Sequence, residues 1–391
     1  MRVGLLTYHW VPNFGAQLQT LSTYKYLEKA GFNPIVINWV PKETKQYYSI
    51  INEQQRKQHL RFISSLCELT EEFSDSLEIS NVISNNDITG VVIGSDSLFN
   101  IQVPKRNLRT MKIGTITPDH LFPNPFWGTG FETLPHVGLS ISSQNADYRL
   151  FSQKMGEIAH ELKMFKHITV RDEWTQSLVS FFTGGEIIPE VTPDPVFAFN
   201  SNVNIETTKQ DILSQFNLPE KYVLFSFSVG RMAASETWLK KIKKMFNEEG
   251  YACIQLPKIS GGQKFELDAS IKLPLDPLEW YNLIRFSSGY VGVLMHPIIV
   301  CLHNSIPFFS FDHYGAGTVM FAKKSSSKIF DILDQAELLN CHYFLKHHLS
   351  FPSPKRVFNS IVNFPIEKCR NFAEKQQAKC LENMQNITSY L

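Results

Sequence analysis

Residues 1–39, MRVGLLTYHWVPNFGAQLQTLSTYKYLEKAGFNPIVINW, decide the architecture. Val3-Gly4-Leu5-Leu6-Thr7 is a short apolar run of the kind that forms a strand buried on both faces. The loop HWVPNFGAQ follows. QLQTLSTYKYLEKAG then places apolar and aromatic residues at helical spacing until Gly31 closes the helix. Pro34-Ile35-Val36-Ile37-Asn38 resumes as a second strand. Two buried strands joined by a crossover of this length pair in parallel, because antiparallel neighbours need only a hairpin.

The alternation continues outward from this unit. Residues 41–90 are polar and read as helices on the sheet face, until Gly90-Val91-Val92-Ile93-Gly94-Ser95-Asp96 gives another buried strand. From Phe99 to Pro135 the chain is rich in proline and aromatics without a sustained period, which reads as a long functional loop. HVGLSIS (136–142), a helix from about Ala146 to Phe165, HITVRD (167–172) and EIIPEVTPDP (186–195) complete the first series. A polar stretch at 197–210 marks the domain joint. Beyond it come strands at Tyr222–Ser228, Tyr251–Leu256, Gly289–Leu294 and Pro307–Phe311. Helices are expected over Ser235–Glu249, Pro277–Arg285 and His296–His303, with Pro297 opening the last, and a helical region from Lys328 onward. The expected fold is α/β, two tandem Rossmann-like domains: 1–200, a linker at 201–220, 221–330, and C-terminal helices over 331–391. A cleft between the domains, at the carboxyl ends of the strands, is the expected ligand site.

Composition excludes several classes. With 391 residues, 38 Lys+Arg against 37 Asp+Glu and 43% hydrophobic residues, the chain has a large core and no broad basic surface for nucleic acid. The N-terminus lacks a signal-peptide pattern and no apolar run is long enough to span a bilayer, so a cytoplasmic location is expected. Six scattered cysteines without a C-x-x-C pair argue against a zinc cage or a disulfide framework, and no metal ligand set is visible.

The N-terminal unit, VVIGSDSLFN (91–100), ITVRDEWTQSLV (168–179), VTPDPVFAF (191–199) and PLEWYNLIRFSSGYVGVLMHPIIVCLHNSIPFFSF (277–311), taken in this order, resemble the polysaccharide pyruvyl transferase family over roughly residues 1–340. The resemblance implies a GT-B-like pair of domains, with the acceptor on the N-terminal side and the donor on the C-terminal side. It implies transfer of pyruvate from phosphoenolpyruvate to a galactose-like hexose of a surface polysaccharide or lipid-linked precursor, as a ketal, with no cofactor beyond the donor. The chain departs from the family at Gly292-Val293-Leu294-Met295-His296-Pro297, where the family has an Asp-Ser-Phe-His-Gly-like turn. Only His296 survives. The small polar residues that would hold a phosphate are gone, so either other groups hold it or the activity has drifted.

The chemistry needs an acid, a base and cationic anchors for the donor's phosphate and carboxylate. His296, at a strand end and a helix start, is the expected proton donor, competing with a histidine merely satisfied at a strand end. Asp96 is the expected base, competing with a helix cap. Arg171, which the family's Val-Arg-Asp/Glu position matches, is the expected donor anchor, competing with a salt bridge to Asp172 or another acid. Arg231, with Ser228 and Gly230 before it, is a second donor anchor or an ordinary surface arginine. Tyr8, Asn13 and Gly15 are acceptor-side candidates or a plain turn and cap, and Asp194 reads as a structural turn between prolines. Trp127, with Phe126 and Phe131, either stacks on the acceptor sugar or forms a buried cluster. The mixed-charge segment EKCRNFAEKQQAKCLEN (367–383) packs as a helix or touches a membrane surface beside a lipid-linked acceptor. A GT-B nucleotide-sugar glycosyltransferase and a non-catalytic glycan-assembly protein remain alternatives, and the oligomeric state is not legible.

Overall fold

A computed structural model describes residues 1–104, 114–144, 146–229, 232–312, 327–345 and 351–391, which form two compact units. The first comprises Met1–Val203 with Ala378–Leu391, the second Asn204–Gln377.

In the first unit the elements are β1 (Arg2–Leu6), α1 (Phe14–Lys29), β2 (Asn33–Val36), α2 (Lys42–Tyr47), α3 (Glu53–Leu66), α4 (Ile79–Asn85), β3 (Gly90–Asp96), β4 (His136–Ile141), α5 (Met155–Met164), β5 (His167–Val170), α6 (Glu173–Phe182), β6 (Glu190–Val191) and α7 (Phe199–Asn202). The strands make one parallel sheet in the order β2-β1-β3-β4-β5-β6. Leu5, Val92, Val137 and Ile168 are buried with their neighbours, as continuous apolar strands require when both faces are covered. α1 is capped by Asn13, whose Oδ1 accepts from the Gly15 N–H at 3.0 Å. Its interior is unusually polar for a buried helix. Gln17 donates to the carbonyls of His9 and His59, Gln19 to Asp194 and Ser22 to the Pro195 carbonyl, so these three side chains each bring a partner into the core.

The second unit contains α8 (Lys209–Phe216), β7 (Tyr222–Ser226), α9 (Glu236–Glu248), β8 (Ala252–Gln255), β9 (Ala269–Ser270), α10 (Pro277–Arg285), β10 (Gly289–Gly292), α11 (Met295–His303), β11 (Phe308–Asp312), α12 (Lys328–Gln335), β12 (His342–Phe344) and α13 (Pro354–Val362). Its sheet, also parallel, has the order β12-β11-β10-β7-β8-β9. α14 (Ile366–Thr388) counts with this unit up to Gln377 and with the first from Ala378.

Four expectations need correction. The 201–220 segment is no plain linker: Thr208 and Asp211 close a reciprocal cap on α8. The helix expected from Ala146 begins instead as a tight 3-10 turn, Tyr148–Lys154, kinked at Phe151, and becomes α-helical only at Met155. The region after Lys328 is not wholly helical, since β12 extends the sheet. The tail is not a separate helical appendage either. Cys380 lies against the Asp194 carbonyl, and Asn383 donates to Ser140 and Thr169, which binds this stretch into the first unit. Cys369, Cys380, Met384 and Ile387 of α14 are all buried in packing. No helix among the described residues is long and apolar enough to cross a membrane. All six cysteines are free and buried.

Candidate active site

The carboxyl ends of the first unit's strands gather its polar residues. β3 ends in Asp96, a non-glycine residue held at φ 99°, a conformation that costs energy unless its surroundings impose it. The surroundings do so: its carbonyl accepts from the N–H groups of Leu98 and Ser142. Its Oδ1 accepts from the Ser97 N–H at 2.7 Å.

Arg171 leaves the end of β5 and lies between two carboxylates. Nη1 donates to Asp194 Oδ2 at 2.5 Å, and Nη2 stands 3.8 Å from Asp96 Oδ1. Asp194 is fixed further by Gln19 Nε2 at 2.5 Å and by the Val196 N–H at 3.0 Å. Side-chain exposure rises along the series, 0% for Asp194, 5% for Arg171 and 12% for Asp96. Burial, the largest influence on Arg171, opposes its charge. Asp194, Asp96 and Asp172 outweigh it and raise its pKa, so the guanidinium is a permanent cation. Asp172 itself caps α6, accepting from Thr175 and from Ser142 Oγ. The acid that pairs most closely with Arg171 is therefore Asp194, not its neighbour. Nη1 is thus committed to Asp194, while Nη2 only approaches Asp96 and the buried Nε has no hydrogen-bond partner among the described residues. Asp96 is the member of the series that meets solvent.

The acceptor-side candidates divide. Tyr8 follows β1, is buried, and donates to Asp119 Oδ2 at 2.7 Å; burial and that carboxylate push its pKa far up, so it is a neutral hydroxyl. Asn13 is exposed but serves as the cap of α1. Gly15 sits inside the helix without positive φ, so it does not supply the turn expected of it. Trp127 is fully buried and stacked on Phe99 with centroids 4.4 Å apart, while Phe122 meets it edge-on. Phe126 and Phe131 are buried as well. The faces of these rings are already covered by packing, so the aromatic side chains named here belong to the core.

In the second unit, Ser228 lies just past β7, where its Oγ accepts from Lys258 Nζ at 2.8 Å. Gly230 and Arg231 lie outside the described residues. His296 is the second residue of α11, half-buried, and the helix begins at Met295 with Leu294 at its cap position and no side-chain cap. Pro297 is thus the third helical residue, not the first. The position is tolerated because the first four N–H groups of a helix have no partner within it. The sequence reading missed Asp119 and Lys258, and took Asp194 for a turn alone. Proline on both sides of Asp194 was the one signal of a fixed carboxylate.

Comparison with solved structures places the fold among proteins of two Rossmann-like domains. The chain resembles a putative UDP-N-acetylglucosamine 2-epimerase from Listeria monocytogenes (TM-score 0.52, 10% identity, 98% of this chain and 94% of that one). UDP-GlcNAc 2-epimerase from Methanocaldococcus jannaschii gives a TM-score of 0.51 at 10% identity, with 100% of both chains covered. MnaA of S. aureus, solved with UDP, gives 0.50 at 10% identity over 99% and 95%. At such identities the likeness is one of fold, of the GT-B type. No curated protein matches in sequence. The polysaccharide pyruvyl transferase model, in contrast, matches residues 13–314, a span that takes in Asp96, Arg171, Asp194, Ser228, Lys258 and His296. The chain therefore belongs to the polysaccharide pyruvyl transferase family.

Proposed function

We propose that this protein transfers the pyruvyl group of phosphoenolpyruvate to two hydroxyls of a galactose-like hexose in a surface polysaccharide or its lipid-linked precursor. The family match over residues 13–314 carries the reading. In the reaction the methylene carbon of phosphoenolpyruvate takes up a proton and becomes methyl. One sugar hydroxyl adds to the adjacent carbon, the C–O bond to phosphate breaks, and a second hydroxyl closes the ketal. Two hydroxyl protons are released; one balances the methyl group and the other leaves with inorganic phosphate.

In this reading Asp96 receives the proton of the attacking hydroxyl, and His296 supplies the proton to carbon. Asp96 suits the task because it is the solvent-meeting end of a fixed carboxylate–guanidinium–carboxylate series, so its orientation is set before substrate arrives. No cofactor is invoked beyond the donor substrate. Incubation with phosphoenolpyruvate and a panel of free and lipid-linked galactosides is expected to release phosphate and to add the mass of a pyruvyl ketal to one acceptor. Stabilisation against heat by a UDP- or GDP-sugar, with none by phosphoenolpyruvate, would favour a nucleotide-sugar glycosyltransferase instead. Binding of glycans with no turnover of either donor would favour an assembly role.

A further inference from the structure

The turn between β10 and α11 carries Val293, Leu294 and Met295, side chains that offer no hydrogen bond to an anion. A donor with a phosphate needs its counter-charge from another place, and β8 provides a candidate. Lys258 follows β8, half-buried, with its ammonium on Ser228 Oγ. Among the described residues no carboxylate lies within ion-pair distance of it, whereas Lys243 in the same unit pairs with Asp268 at 3.0 Å. A long lysine side chain ordinarily extends its charge into water, so holding one half-buried without a counter-ion is unfavourable.

The loop is built to hold it there. The Gly261 N–H bonds back to the Lys258 carbonyl with Gly261 at φ +83°, a turn that favours glycine. At Gly262 a Cβ would stand 3.0 Å from the Phe227 carbonyl, so the chain passes closely over the end of β7. Gln263 then locks the loop. Its N–H donates to Phe227, its side chain exchanges hydrogen bonds with the backbone of Ala234 at 2.8 and 2.6 Å, and its carbonyl accepts from Gln255 at 2.7 Å. β8, β7 and β10 are adjacent and parallel, so Lys258, Ser228 and the start of α11 all leave from the same edge of the sheet.

We propose that Lys258 and Ser228 form an anion site at the carboxyl end of β7 and β8 that takes a phosphate group of the donor. The ammonium keeps two N–H donors after serving Ser228, and the Ser228 hydroxyl keeps its own. Burial lowers the lysine's pKa, and no carboxylate among the described residues offsets it, as expected of a cation whose counter-charge arrives with the ligand. The inference rests on the pyruvyl-transfer reading for the identity of the anion, and its shared chemistry is a phosphate ester, either phosphoenolpyruvate or a nucleotide diphosphate.

Calorimetric titration of the full chain with phosphoenolpyruvate, UDP and inorganic phosphate tests it, on the wild type, Lys258→Met, Lys258→Arg and Ser228→Ala. Lys258→Met is expected to weaken the bound phosphate compound by about tenfold or more, the worth of a charge-assisted hydrogen bond, and Lys258→Arg to restore much of it. The unliganded melting temperatures should match the wild type, which separates lost binding from lost folding. Binding of Lys258→Met and Ser228→Ala within about twofold of the wild type, or no binding of any probe by the wild type, overturns the site. If the wild type binds UDP alone and Lys258→Met loses it, the site stands and the pyruvyl reading falls. If phosphoenolpyruvate is bound and turned over equally by the wild type, Lys258→Met and Ser228→Ala, the reading stands and the site falls.

Discussion

At the scale of the residue, the Asp194–Arg171–Asp96 series governs the first unit. Arg171 is a buried cation whose closest partner, Asp194, is itself wholly enclosed. Removing one member of such a pair leaves the other charge without compensation, which costs about 3–5 kcal/mol. Asp194→Ala is therefore expected to lower the unfolding free energy by that amount in urea titrations, with Asp194→Asn losing less because it keeps an acceptor for the Val196 N–H. A loss under about 1 kcal/mol, the worth of an ordinary exposed pair, would mean that the pair is not effectively buried. The sequence marked Arg171 because it follows a strand and matches the family's Val-Arg-Asp/Glu position. The prolines around Asp194 signalled a fixed carboxylate but not its partner, since Asp194 is brought alongside Arg171 only when β5 and β6 pair. Trp127 shows the same limit from the other side, for an aromatic residue in an aperiodic segment reads alike whether it meets a sugar or Phe99.

At the scale of the element, the site depends on how β3 ends. Gly94 has φ +142°, and a Cβ there would stand 2.1 Å from the Leu139 carbonyl on β4. Both the backbone conformation and the contact exclude a side chain. Gly94→Ala must push β3 from β4 two residues before Asp96, and the expected outcome is a loss of several kcal/mol, read as a lowered melting temperature or insoluble protein. A melting temperature within about 2 °C of the wild type would show that the strands adjust freely. The strands themselves were legible because those buried on both faces are unbroken apolar runs, and the capped helices were legible from Ser235 and Pro277. Short or irregular elements were not. β12 has only three residues, too few for a period, and the Tyr148–Lys154 turn carries helix-like composition on a backbone wound more tightly than an α-helix.

At the scale of the whole molecule, both units enclose histidines whose burial favours the neutral form. Burial lowers the pKa of His59 in the first unit to about 3, and those of His303 and His342 in the second to about 4. His59 Nδ1 faces Gln17 Oε1 at 2.7 Å, because the Gln17 amide nitrogen is occupied by the carbonyls of His9 and His59. In the unfolded chain each imidazole titrates near its ordinary value, about 6.5. Between that value and the folded one the unfolded state binds more protons, so stability falls as pH falls. Each such histidine contributes a slope of up to about 1.4 kcal/mol per pH unit across the window. Carboxylates at their ordinary values, about 3.9 and 4.3, are almost wholly ionised above pH 5.5, so the histidines dominate the range from pH 6.5 to 5.5. Unfolding free energies measured by urea titration at intervals across that range should decline for the wild type. His59→Asn keeps a donor for Gln17 but cannot titrate, and its decline should be shallower. Parallel declines for the two proteins would show that His59 reaches water when protonated and does not couple folding to pH.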